Sequence, residues 1–293
     1  ESKNGILLFS IALIPILIIF SPLIKMFPVG LGLKMLVIST VFTVLLFGLL
    51  VPIFHQYKNQ RKIPYLFLLI GLMVLVSASI YSGYSDNRKQ PNSILYVLDA
   101  NSNKAYWASY NSTIDSFTEQ FLGESPLEGS YDSNTTASKY KTSIKLHTPT
   151  TLKNLKKPEI TIISDTIIGG ERKVELSVFS KRNANKIELL ANAPIKFKSF
   201  NVNGEFLKKS KHENYVLKVN GGTIMSYFRT AKEEYLNLEF VVDASQKFDI
   251  DILEVKFDLF TNTKFSIEPR SETMIPMPFV LNDATIIKTN LKF

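Results

Sequence analysis

Three stretches of this chain, residues 6–24, 35–54 and 65–84, run for 19, 20 and 20 residues without a charged side chain. At 1.5 Å per helical residue each reaches about 30 Å, the thickness of a bilayer's hydrocarbon core. Buried helices of a soluble bundle would carry charge on a wet face. None is present here, so the sequence predicts three membrane-spanning helices within residues 1–84. Pro15, Pro22 and Pro52 lie inside the runs, and membrane helices tolerate proline better than soluble ones. Lys3 would suit a signal peptide, but the first run is long for one, and "SPLIKMF" follows it where a small-residue cleavage site would stand. The polar residues inside the runs are mainly Ser39, Thr40, Thr43, Ser77 and Ser79. Transport sites and proton relays need more than these, so the helices read as scaffold. A start at Glu1 without methionine is expected of an internal piece of a longer protein.

Basic residues in short loops set orientation. Lys58, Arg61 and Lys62 lie between the second and third runs, against Lys25 and Lys34 around the first loop. The second loop is then cytoplasmic, and residues 85–293 lie on the other side, although Arg88 and Lys89 run against the rule. The net charge of +8 divides into +5 for residues 1–84 and +3 for the rest. The basic excess thus sits mainly beside the helices, and no arginine-rich stripe remains to follow phosphates, which argues against a nucleic-acid partner. The chain has no cysteine, so a fold outside the cytoplasm must rest on its core rather than on disulfides. Abundant lysine, asparagine and isoleucine fit a bacterial inner membrane with the tail in the periplasm better than an endoplasmic reticulum.

The tail opens with "SILYVLDANSNKAYWASY", residues 93–110, where two apolar stretches flank turn residues and predict a hairpin. Ser112 or Thr113 then caps an expected helix carrying Ile114, Phe117 and Phe121, which Gly123 closes. Residues 124–157 read as a long loop with one short strand, so residues 85–157 join the membrane region to the remainder of the tail. From 158 to 293 the period becomes that of strands. Val174, Leu176 and Val178 alternate with polar neighbours, as do Leu236, Leu238, Phe240 and Val242, and the slip from Phe197 to Phe200 predicts a bulge near Ser199. Glycine-bearing turns at Gly169-Gly170, Asn203-Gly204 and Gly221-Gly222 separate the strands. The expected fold is a three-helix membrane region followed by a mostly β external domain, an antiparallel β-sandwich with one short helix. "KFDIDILEVKFDLF" changes face between Ile252 and Val255, as a strand bending from one sheet to the other would.

The usual catalytic patterns are missing. His55, His147 and His212 stand in unrelated contexts without an HExxH, and neither a G-x-S-x-G elbow nor a cysteine nucleophile occurs. Asp249 and Asp251 share one strand face, and Glu233-Glu234 precedes a strand; both read as solvated surface. The glycine pairs precede strands rather than helices, unlike phosphate loops. The sequons at Asn111 and Asn134 are at the frequency chance provides.

The segment "PNSILYVLDANSNKAYWASYNSTIDSFTEQFLG" nevertheless resembles the C-terminal region of membrane-bound zinc aminopeptidases, the family that includes the endoplasmic reticulum metallopeptidase and the vacuolar membrane protease. The residues that carry the resemblance are Pro91, Tyr96, Asp99, Ala105, Trp107, Phe117 and Thr118, within about 33 residues. It implies a zinc exopeptidase as the parent protein, with the zinc ligands and the acid/base glutamate in an upstream domain. No catalytic, cofactor-binding or metal-binding residue falls in this chain, and its partners would be the bilayer and the upstream peptidase domain. Tyr96, Asp99, Trp107 and Phe117 are then structural anchors, with Trp107 packed near Tyr96 and Phe117. A stand-alone membrane-anchored binding module and an accessory subunit of a membrane complex are the alternatives.

Overall fold

The computed structural model describes residues 3–31, 36–55, 60–136, 138, 142–208 and 214–292. Lys34, Lys58 and His212 lie outside them. The chain divides into two compact units, Glu1–Gly83 and Tyr84–Phe293.

In the first unit the apolar runs form α1 (Lys3–Leu31), α2 (Leu36–Phe54) and α3 (Ile63–Ile80). All three are long and apolar enough to cross a membrane, which marks an integral membrane protein in contact with lipid. α1 continues past the expected run to Leu31, with Pro15, Pro22 and Pro28 inside it. Pro28 has no N–H to offer the carbonyl of Ile24 four residues earlier. The hydroxyl of Ser39 on α2 donates to that carbonyl at 2.9 Å, replacing the missing bond and tying the two helices together. Phe42 of α2 packs on Phe20 and Phe27 of α1, with ring centroids 5.4 and 5.6 Å apart.

The second unit is built from β1 (Gln90–Asn92), β2 (Leu95–Asp99), β3 (Lys104–Ser109), α4 (Glu119–Leu122), β4 (Leu127–Glu128), β5 (Leu146–Thr150), β6 (Glu159–Ile168), β7 (Glu171–Phe179), β8 (Lys186–Ala191), β9 (Ile195–Val202), β10 (Glu205–Phe206), β11 (Leu217–Val219), β12 (Gly222–Phe228), β13 (Tyr235–Asp243), β14 (Asp249–Lys256), β15 (Met274–Pro276) and β16 (Ala284–Lys292). One sheet has the order β10-β9-β13-β7-β6, with β11 also on β9. The other has the order β12-β8-β14-β16-β2-β3-β5-β4. Pairing is antiparallel except for β16 with β2 and the separate pair β1 with β15, which are parallel. The turns Gly169-Gly170 and Asn203-Gly204 have positive φ at both positions, the geometry of tight two-residue hairpins that glycine and asparagine tolerate.

The sheets face each other across one core. Val174, Leu176 and Val178 of β7, Phe197 of β9 and Phe240 of β13 meet Ile187 and Leu189 of β8 and Ile250 and Ile252 of β14. The bulge falls where the register between β13 and β9 shifts, from Val241 opposite Ser199 to Val242 opposite Phe197. Three local expectations are corrected. β14 does not bend between sheets: it pairs with β16 in unbroken register. Its face change arises because both faces are buried, Ile250 and Ile252 in the inter-sheet core and Leu253 and Val255 in a core on the opposite face. Residues 85–157 are not merely a joining segment, since β2, β3 and β5 extend the eight-stranded sheet. The helix after the hairpin is a single turn, Glu119–Leu122. Asp115 accepts from the N–H groups of Phe117 and Thr118 at 3.0 and 2.8 Å, and this side-chain turn competes with helix over 113–118.

Candidate functional site

The hairpin β2–β3 carries Tyr96, Asp99, Ala105 and Trp107 of the resemblance, while Pro91 lies on β1 and Phe117 and Thr118 just before α4. Tyr96 and Trp107 are direct cross-strand partners, and their rings meet edge-on at 5.3 Å. Phe265 closes on both, at 4.8 and 5.8 Å. Phe121 of α4 lies 4.9 Å from Trp107 and 5.3 Å from Phe117. Phe121 is therefore the link between Trp107 and Phe117. The Tyr96 hydroxyl donates to the carbonyl of Thr151 at 3.1 Å and accepts from the N–H of Lys153 at 2.8 Å, clamping the strand exit after β5. Burial raises its pKa, against the bond from Lys153. Asp99 lies apart from the rings and holds the hairpin turn. It accepts from the N–H groups of Asn101 and Ser102 at 2.9 and 3.2 Å and from the Ser102 hydroxyl at 2.7 Å.

Arg270 completes the cluster. Its guanidinium stacks over Phe117 at 4.6 Å and Phe260 at 5.3 Å and donates a fork to Asp283 at 2.8 and 2.6 Å. A further bond reaches the side chain of Asn92 at the end of β1. Nothing in the sequence around Arg270 announced this bridge.

A second constellation lies on the far face of the eight-stranded sheet. Asp251 of β14 and Lys288 of β16 form an ion pair at 3.0 Å, with side chains only 1 % and 9 % exposed. Asp132, from the loop after β4, closes on the same ammonium group. Asn290 donates to Asp251 and Asp249 at 2.9 and 2.8 Å, and Asn192 donates to Asp249 at 2.9 Å. The pair Asp249/Asp251 is thus not a solvated face, as its spacing suggested. β14 is a central strand covered on both sides, so its polar residues must find partners inside. Nearby, Glu188 of β8 is fully buried and bonded by Lys186 and Ser226. Burial, partly offset by the bond to Thr136 and assisted by the charge of Glu188, pushes the Tyr110 phenol up to about 12.

Between the cores on the inner face, Arg182 donates to Glu254 at 2.7 Å and to the carbonyl of Thr285 at 3.0 Å, while Ser180 bonds Glu254 and Thr285 donates to Asp258 at 2.6 Å. Lys256 stands 3.7 Å from Asp258 as a second cation, so these groups are matched in charge and joined to strands, an arrangement that fixes register and sheet order. Among the described residues no group of three or more His, Asp or Glu side chains is placed to hold a metal ion. His147 bonds the carbonyl of Gly129 at 3.0 Å. Both sequon asparagines are buried, with Asn111 reaching Asp115 and Asn134 reaching the carbonyl of Ala191.

Glu234 does not stand beside Glu233 as idle surface. It accepts from Tyr227 and from the N–H groups of Ala231 and Thr230 at 3.0 and 2.8 Å, which lowers its pKa to about 2. Stability from this carboxylate is complete above its ordinary value of 4.5 and is lost as pH falls toward 2. Glu234→Gln should therefore flatten the fall in thermal stability of the β unit across that interval. An unchanged acid profile would assign the dependence to other carboxylates.

No family model and no curated protein matches the chain.

Proposed function

We propose that this chain is the non-catalytic membrane anchor and external β-domain of a zinc-dependent membrane aminopeptidase, whose peptide hydrolysis resides in a domain preceding Glu1. The observation that carries the reading is the joint placement of the residues of the resemblance. Tyr96, Trp107 and Phe117 belong to one core cluster with Phe121 and Phe265, and Asp99 shapes the turn between the strands that bear two of them. Residues of such a motif are then kept for packing, and the domain serves as a support. Zinc would be bound upstream, and the β-domain would face the peptidase on the non-cytoplasmic side.

Two experiments test this. An antibody against residues 85–293 should isolate from the native membrane a polypeptide well above 33.2 kDa, with chelator-sensitive hydrolysis of an aminoacyl-coumarin substrate. A native polypeptide of about the chain's own mass without that activity would overturn the proposal in favour of a membrane-anchored binding module. The chain has no cysteine, so single-cysteine reporters give its orientation directly. Thr263→Cys should react with an impermeant maleimide in intact spheroplasts and Lys62→Cys only after lysis; the reverse pattern would invert the topology.

A further inference from the structure

A groove of about 620 Å³ lies between α2 and α3. Val44, Gly48, Val51 and Phe67 are among its walls, and His55 and Arg61 stand at the end nearest the connecting loop. Phe67 of α3 packs edge-on against Phe47 and Phe54 of α2 at 5.4 and 5.8 Å, so aromatic contacts hold the two helices together beside it. The groove is open beside Gly48, where a Cβ would meet no heavy atom within 4 Å, so a large side chain there would project into free space along the cleft.

Length, chemistry and charge point to one occupant. From Val44 to His55 the groove follows α2 for about 16 Å at 1.5 Å per residue, against about 15 Å for half of a 30 Å hydrocarbon core. An apolar cleft of that depth, on helices able to span a bilayer, matches a fatty-acyl chain of one leaflet. Arg61 is exposed at its polar end and is followed by Lys62. A guanidinium at headgroup level offers a paired donor to a phosphate, and basic pockets between membrane helices suit anionic lipids.

We propose that the α2–α3 groove is a binding site for a single anionic phospholipid, with an acyl chain along Gly48 and the phosphate on Arg61. The site depends on α2 and α3 being membrane spans and is independent of the peptidase reading.

The test is reconstitution of the full chain into vesicles of phosphatidylethanolamine and phosphatidylglycerol at 3:1, mild detergent extraction, and native mass spectrometry of the retained lipid. The wild type should retain one phospholipid per chain, with phosphatidylglycerol enriched at least fivefold over the vesicle ratio. Arg61→Gln should keep a lipid but lose the enrichment, and Gly48→Phe should lose retention of both lipids. Arg61 is exposed, so its variant remains decisive even where Gly48→Phe does not fold. Retention at the vesicle ratio in the wild type, an unchanged enrichment in Arg61→Gln, or the absence of any retained lipid would overturn the site. The last outcome would mark the groove as a seat for another helix.

Discussion

Replacing Lys288 with methionine should lower the melting temperature of the β unit by roughly 6–20 °C. Lys288 lies between Asp251 and Asp132, and Asp251 is 1 % exposed. Without the ammonium group a carboxylate is left buried and uncompensated, at a cost of about 3–5 kcal/mol. A unit of this size shifts by about 2–4 °C for each kcal/mol. Lys288→Met combined with Asp251→Leu removes both charges of the buried pair and leaves only the partly exposed Asp132. It should recover most of the loss, because an apolar pair of similar volume replaces a buried ion pair at little net cost. Failure of the double variant to recover would mean that Lys288 acts through its hydrocarbon stem.

Lys288 and Asp132 together set a pH window. Burial opposes the charge of Asp132, but the bonds from Lys288 and the Asn134 N–H outweigh it and hold the carboxyl below its ordinary 3.8. Burial likewise opposes the charge of Lys288, yet its bonds to Asp132 and Asp251 raise it above 10.5. Stability from Asp132 is present above pH 3.8 and fades as pH falls through its lower folded value. Stability from Lys288 is present below 10.5 and fades as pH rises through its higher one. Lys288→Met should flatten both limbs, as thermal melts from acid to alkaline pH would record.

The second large effect is expected at Trp107. Full truncation of a buried aromatic to alanine costs about 3–5 kcal/mol. Trp107 is half-buried but touches three aromatic rings, so about 3 kcal/mol and a fall of roughly 6–12 °C are expected. Trp107→Phe should retain most of the stability. A Trp107→Ala variant that melts like the wild type would show that the ring serves an external contact and not the core.

The sequence by itself determined what depends on near neighbours along the chain. Charge-free runs long enough for a bilayer gave the three helices, because a helix satisfies its backbone internally whatever surrounds it. Alternation of Val174, Leu176 and Val178 gave β7, paired turn glycines gave the β6–β7 hairpin, and the slip beside Ser199 gave the bulge. The aromatic composition of the β2–β3 hairpin was legible as packing, although its partners Phe265 and Arg270 were not. Tertiary structure alone decided the sheet order. β16 returns from the far end of the chain to lie parallel to β2, Ala284 opposite Leu95, and no local period encodes a pairing over such a distance. That order makes β14 and β16 central strands, and centrality buries Asp251, Glu254 and Lys288, although the spacing of Asp249 and Asp251 alone reads as a wet surface. Period two tells which residues share a face. Whether that face meets water or protein depends on what the rest of the chain lays over it.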